Sequence, residues 1–256
     1  TTELNSPPFL GDLSAFKFKT EYRSLKEDPV KEFYRPCLLN AISYRRAVGY
    51  FRSTVYNVIG APIVQFARRG GRTQLICSPE LSEEDIDSIA LGYARKSQVV
   101  GHQLSKQIDE LLATEESAFN TRVLATLLSV GALEIKVAIR GDRKGLYHEK
   151  IGILSDGIGN RVSFKGSANE TWSGWHLHGN FESVEVFCSC RGGLEAERVK
   201  KHEAHFDALW NENDPDVEVF SFPSEAVAHL KKAALKDLNA VEPNSIHKLQ
   251  KRRTPL

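Results

Sequence analysis

The chain has 256 residues, a formal net charge of +1, and apolar and charged fractions of 41% and 26%, which fit an ordinary globular protein with enough chain to bury a sizeable core. Near-neutral charge excludes a protein that coats nucleic acid through a general field, so any nucleic acid must meet a local patch. No apolar run approaches the ~18 residues of a membrane span, and residues 1–20 show no apolar signal region.

The expected elements begin at 46–51 (RAVGYF), which reads as a short buried strand. A helix over 55–69 follows, stopped by Gly70-Gly71. Residues 72–78 (RTQLICS) form a second strand, and Ser82, with Glu84 and Asp85 in the next turn, marks a helix start. The polar stretch 82–130 carries Leu104, Ile108, Leu111 and Leu112, then Val123, Leu124, Leu127 and Leu128, at helical spacing. It gives two or three helices and reads as an insertion over about 80–130. After Gly131 the period changes, and 133–139 (LEIKVAI) alternates as a half-buried strand. Residues 148–154 and 161–166 flank Ser155-Asp156-Gly157-Ile158-Gly159-Asn160, a hairpin with a Gly-rich turn. A strand over 184–189, an amphipathic helix over 194–210, a short strand near 217–220 and a helix over 224–238 complete the pattern. Strands separated by helices imply an α/β fold, a mixed β-sheet sandwiched by helices. The basic segment 241–256 reads as a tail or linker after a domain over 1–240.

Four scattered cysteines, Cys37, Cys77, Cys188 and Cys190, do not make a disulfide framework, so a reducing, cytoplasmic setting is expected. The pairs Arg45-Arg46 and Arg68-Arg69 read as surface charges.

The informative stretch is 147–182, YHEKIGILSDGIGNRVSFKGSANETWSGWHLHGNFE. On a strand alternate side chains share a face, which sets His148 and Lys150 together with Glu149 opposite. An imidazole beside an ammonium is a preorganised site for an anion. The hairpin returns to deliver Gly166-Ser167-Ala168-Asn169 next to it. Gly166 lets backbone approach a ligand, and Ser167 and Asn169 offer neutral donors to phosphate oxygens. A nucleophile, a cation and two donors converging on one point suit a phosphodiester, whose transition state spreads negative charge over its equatorial oxygens.

The order H-x-K at His148 and Lys150, then Asp156, then G-S-x-N at Gly166, Ser167 and Asn169 resembles the signature of the phospholipase D-like superfamily, and Asn180-Phe181-Glu182 resembles its N-x-E element. AVGYF, a helix and RTQLICS resemble the opening strand–helix–strand of one lobe of that family. The closest wording is that of nuclease-like lobes attached to bacterial helicases of restriction, phage defence or DNA repair. One spacing departs from the pattern. Five residues separate Lys150 from Asp156 where four are usual, so Asp156 shifts toward the turn. In the family this Asp is mainly structural.

The resemblance implies a metal-independent DNA endonuclease with His148 as covalent nucleophile. Lys150, Ser167 and Asn169 would hold the phosphate, and Glu182 would orient the imidazole. Family members use two His–Lys motifs, and this sequence has one H-x-K followed by G-S-x-N, which implies a homodimer with the motifs meeting at a two-fold axis. A helicase, fused or associated, is the further implied partner, with single- or double-stranded DNA as substrate and no membrane contact.

Around this motif, Arg140, Arg143 and Lys144 form a basic loop, either solvated or set against phosphates. Lys165 and His176 are further candidate DNA contacts, and Trp172 and Trp175 either stack on bases or pack in the core or a dimer interface. His176 with His178, His202 with His205, and Cys188 with Cys190 invite a zinc reading. The charged neighbours Lys200, Lys201 and Glu203 make the His202–His205 face a solvated one, and the two cysteines fit core packing on an apolar strand. No metal or cofactor is therefore expected. The rival readings are the same chemistry on RNA or a phospholipid, a non-catalytic DNA-binding or dimerisation lobe, and a zinc nuclease.

Overall fold

The computed structural model describes residues 9–23, 26–49, 56–82, 84–85, 95–113, 115–142, 147–166 and 183–241. Within them eight strands make one mixed sheet: β1 (Glu21–Arg23), β2 (Ser43–Ala47), β3 (Arg72–Cys77), β4 (Leu133–Arg140), β5 (Ile151–Ser155), β6 (Arg161–Gly166), β7 (Ser183–Cys188) and β8 (Val217–Ser221). Their order across the sheet is β1-β7-β6-β5-β2-β3-β4-β8. β3 pairs in parallel with both β2 and β4, and every other pairing is antiparallel.

Parallel neighbours cannot be joined by a tight turn and need a crossover. A short α1 (Arg35–Asn40) precedes β2, helix α2 (Tyr56–Arg68) connects β2 to β3, and α4 (Glu115–Ser129) packs on β4 as part of the β3–β4 crossover. The segment read as an insertion is thus partly an ordinary connection. Its added element is α3 (Lys96–Leu112), which packs on α4 and on α6 (Ser224–Lys231). Ser82 and Asp85 cap each other: the Asp85 carboxylate accepts from Ser82 N–H at 3.0 Å, and Ser82 Oγ accepts from Asp85 N–H at 3.2 Å.

The faces of the sheet are unequal. One carries the larger core, including Leu75, Val137, Leu154, Val162, Phe164 and the apolar stripes of α3, α4 and α6. The other is covered by α5 (Gly193–Trp210), whose Phe206 and Leu209 pack against Ala47, Ile76, Ala138, Ile151 and Ile153. In β4 the alternation is visible residue by residue: Leu133, Ile135 and Val137 enter the large core, and Ala138 the small one.

Several boundaries differ from the sequence pattern. β2 begins at Ser43 and ends at Ala47, because its ladder partner β5 runs from Ile151 to Ser155 and Ser43 faces Ser155. Helix α6 stops at Lys231, short of 238. The chain turns away there, and Leu235 N–H donates to Thr126 Oγ at 2.9 Å. The first forty residues, to which the pattern assigned nothing, supply edge strand β1, a π-helical turn at Val30–Tyr34 and α1. Phe33 and Tyr34 from this region set their rings 5.4 and 6.0 Å from Phe164.

The cysteine reading is corrected. β7 ends at Cys188, a 3-10 turn spans Ser189–Arg191, and a disulfide joins Cys188 to Cys190. A turn, not a shared strand face, brings the two sulfurs together. Cys37 and Cys77 are buried free thiols. Among the described residues no helix is long and apolar enough to cross a membrane.

Candidate active site

β5 continues backward from Ile151 into residues 147–150, which lie outside the regular ladder. The strand reading for His148 and Lys150 is corrected on this point, because the pairing lapses after Ile151. Among the described residues a backbone hydrogen bond extends it: Gly166 N–H donates to the Lys150 carbonyl at 3.4 Å. The backbone stays extended enough for alternate residues to part. Tyr147 joins the small core, while Lys150 is 9% exposed.

His148 and Lys150 meet on one side of this segment. Lys150 Nζ stands 3.1 Å from each ring nitrogen of His148 and 3.4 Å from the His148 carbonyl. Partial burial and the neighbouring Lys150 charge together hold the imidazole below its ordinary basicity. His148 therefore favours the neutral form and remains exposed.

The ring needs a glycine beneath it. A side chain at Gly49 would place its Cβ 2.2 Å from His148 Cδ2 and 3.0 Å from Nε2. Gly49 follows the C-terminal end of β2, beyond Val48, whose N–H donates to the Ile76 carbonyl at 2.9 Å. It lies in the AVGYF stretch that was read only as strand.

Below Lys150 on the same side, Gly152 leaves room for the Phe164 ring, and a Cβ there would come within 2.1 Å of it. Arg46, opposite Gly152 in the ladder, places its guanidinium 5.0 Å from the Phe164 ring centre and is 1% exposed. The surface reading of Arg46 is corrected: a cation stacked on an aromatic face is buried in the sheet. Arg45 points the other way and pairs with Glu203 at 2.5 Å and Asp207 at 2.9 Å on α5. Arg68 is exposed, as read, and donates to the Leu238 carbonyl at 2.7 Å. Arg69, also exposed, lies 4.2 Å from the Phe9 ring.

The opposite side of the same segment holds a second polar cluster. Glu149 accepts from His205 Nε2 at 2.7 Å and from Lys165 Nζ at 3.0 Å. Burial opposes the charge on Glu149, but His205 and Lys165 outweigh it and hold the carboxyl down at about 2. The hydrogen bond to Glu149 raises His205 in turn. His202 bonds Ser163 at 2.9 Å, and burial, helped by the Lys165 and Arg198 charges, lowers it to about 4. The solvated-face reading is corrected for His202, which is half-buried and bonds Ser163; His205 stays exposed, as read, while its Nε2 reaches Glu149. Among the described residues no three His, Cys, Asp or Glu side chains converge on a point that could hold a metal ion.

The remaining candidates separate. Asp156 sits at the far end of β5 and is 6% exposed. Its carboxylate accepts from Leu13, Ile158 and Asn160 N–H groups at 2.8, 3.1 and 2.8 Å, fastening the turn and the N-terminal segment. Eight residues of extended chain at ~3.3 Å each place it roughly 25 Å from His148. Gly166 is explained by packing, since a Cβ there would lie 2.2 Å from the Ser183 carbonyl oxygen. That close approach is to β7. Lys165 is on the Glu149 side, and Arg140 is exposed and paired with Asp142 at 2.6 Å. Arg143, Lys144, Ser167, Asn169, Trp172, Trp175, His176, His178 and Glu182 lie outside the described residues, as does the segment 242–256 of the basic tail.

The C-terminal ends of β2, β3, β4 and β6 and the starts of β5 and β7 share the edge where His148 and Lys150 lie. In sheets with parallel strands, this is the edge where loops build ligand sites.

No protein-family profile and no curated protein matches the chain. Many solved structures are similar to it, three of which follow. NucT from Helicobacter pylori has 15% identity and a TM-score of 0.41, over 78% of this chain and 99% of that one. Nuc from Salmonella typhimurium, described as a phospholipase D family member, has 12% identity and a TM-score of 0.44, over 78% of this chain and 97% of that one. Phosphatidylserine synthase from Haemophilus influenzae has 14% identity and a TM-score of 0.44, over 91% of this chain and 43% of that one.

Proposed function

We propose that this chain is a phosphodiesterase of the phospholipase D-like superfamily, a DNA endonuclease that works through a phosphohistidine at His148. The observation that carries the reading is the Lys150 ammonium 3.1 Å from an exposed His148 imidazole held below its ordinary basicity. A neutral imidazole is the nucleophilic form, and a fixed cation beside it attracts and stabilises a phosphoryl group.

The reaction follows from those two groups. A His148 ring nitrogen attacks phosphorus, and an N–P bond forms as the P–O bond to the leaving oxygen breaks. A second His148, from another copy of the chain, starts as the imidazolium, so that the pair shares one proton, and gives that proton to the leaving oxygen. It then takes a proton from water, whose oxygen attacks phosphorus and breaks the N–P bond. Both imidazoles return to their starting states. A single H-x-K followed by G-S-x-N in each chain supports the two-copy arrangement. Ser167 and Asn169 are proposed as donors to the phosphate oxygens, and Glu182 as the acceptor that orients the imidazole. A service to phage defence or DNA repair, beside a helicase, is the context the sequence resemblance favours.

The test is cleavage of plasmid and single-stranded DNA in excess EDTA by the native chain and by His148→Ala. RNA oligonucleotides and phosphatidylcholine–phosphatidylglycerol vesicles serve as parallel substrates. DNA cutting by the native chain alone is the expected result. RNA or lipid hydrolysis without DNA cutting would replace the substrate. DNA binding without cutting would make the domain a binding lobe. Loss of native cutting in EDTA would return the zinc reading. Cutting that survives His148→Ala would remove His148 from the chemistry.

A further inference from the structure

His148 and Lys150 are held close together by a stretch of backbone that lies outside the regular ladder. Residues 147–150 precede β5, and among the described residues a hydrogen bond from Gly166 N–H to the Lys150 carbonyl, 3.4 Å long, extends its pairing with β6. Two shorter ties lie on the other side. Glu149 is tied at one carboxylate oxygen to His205 on α5, 2.7 Å away, and at the other to Lys165 on β6, 3.0 Å away. Tyr147 is buried beside Phe206 and Ile151 in the small core. In extended chain, fixing residue i sets the direction of residues i−1 and i+1 on the opposite face.

We propose that Glu149 is a positioning residue, which clamps the backbone between His148 and Lys150 to β6 and α5 and so sets the spacing of the imidazole and the ammonium. The consequence for rate rests on the phosphodiesterase reading; the consequence for geometry does not. The charged groups facing the clamp are Lys165 from β6, His205 and His202 from α5, and Asp214 beyond α5. Charge-assisted bonds of this kind are about twice as strong as neutral ones, and a misplacement of ~1 Å in a reacting group costs on the order of 10²-fold in rate.

The experiment is an NMR titration of the His148 ring in the native chain, in Glu149→Leu and in Glu149→Gln. Through space, losing a negative charge would make the imidazole less basic. Loss of the clamp acts in the opposite direction, because His148 and Lys150 separate and the ammonium no longer depresses the ring. The expected result is a rise of roughly half a pH unit or more in Glu149→Leu, and a smaller rise in Glu149→Gln, which keeps neutral hydrogen bonds. A fall, or no change, in a folded Glu149→Leu overturns the proposal. A second variant guards against misfolding: His205→Ala removes one tie at the surface of α5. There, amide exchange at 148–150 is expected to quicken by about tenfold, and unchanged exchange overturns the proposal. Neither readout needs activity. A chain that cuts nothing yet shows both shifts would reject the phosphodiesterase reading and keep the clamp.

Discussion

His148 and His205 approach the same few residues of backbone from opposite sides, and their neighbours make them different acids. His148 meets the Lys150 ammonium and is held below ordinary basicity; His205 meets the Glu149 carboxylate and is raised above it. The alternation of one extended segment, His148-Glu149-Lys150, delivers a cation to one ring and an anion to the other. Both rings are exposed; the first favours the neutral form, and the second, once protonated, pairs with a carboxylate. A histidine's chemistry here is set by which face of the segment it meets.

The strongest way to break the contrast is to remove its cation. Lys150→Met is expected to slow phosphodiester cleavage by about 10²–10³-fold, the usual cost of losing one preorganised stabilising group. The His148 ring should then titrate closer to its ordinary value. Steady-state kinetics and an NMR titration read both, and an unchanged His148 would mean that Lys150 does not act on it.

Asp156→Ala tests the remote end of the same hairpin. It strips three backbone N–H groups of their acceptor, at an expected cost of about 2–4 kcal/mol in denaturant unfolding. The titrations of His148 and His205 should stay where they are. A shift in either would tie the turn to the site.

Gly49→Ala sharpens the contrast from the His148 side alone. The added methyl cannot share space with the ring 2.2 Å away, so the imidazole must move. Cleavage should fall by roughly 10–100-fold with a loss of only about 1 kcal/mol in stability. A chain that unfolds instead would place the glycine's role in the fold.

The smallest effect is on stability against pH, and its sign differs between α5's two histidines. His202 is lowered to about 4, so the unfolded chain binds its proton first. Its contribution is present above about 6.5 and is lost as pH falls toward 4, on the order of 2 kcal/mol. His205 is raised, so its contribution is full below the ordinary histidine value and is lost as pH rises through its folded value. Urea midpoints across pH should show His202→Gln flattening the acid limb and His205→Gln the neutral one. The same slope in all three proteins would contradict the assignments.

Much of this was legible in the sequence. The helix stops at Gly70 and Gly131, both with positive φ, the 156–160 turn and the H-x-K juxtaposition all follow from local rules of conformation and alternation. What escaped depended on partners distant in sequence. Glu149 was seen only as the residue facing away, because its ties to Lys165 and His205 are 16 and 56 residues off. Arg46 looked like a surface charge, since nothing local reveals that Gly152 opposite it opens space for Phe164. Gly49 carried a signal, a glycine within an apolar strand pattern, which often marks close approach of another group. Cys188 and Cys190 misled because the strand ends between them.

The central claim is that His148 forms a bond to phosphorus. Its most direct test is acid-quenched reaction of the native chain with a short DNA oligonucleotide, followed by mass spectrometry of the peptide that carries residue 148. The account predicts a phosphoryl-linked nucleotide adduct on His148 that appears within the first turnover, decays as product accumulates, and is absent from His148→Ala. DNA cleavage that proceeds with no adduct, and at an equal rate in His148→Ala, would contradict it.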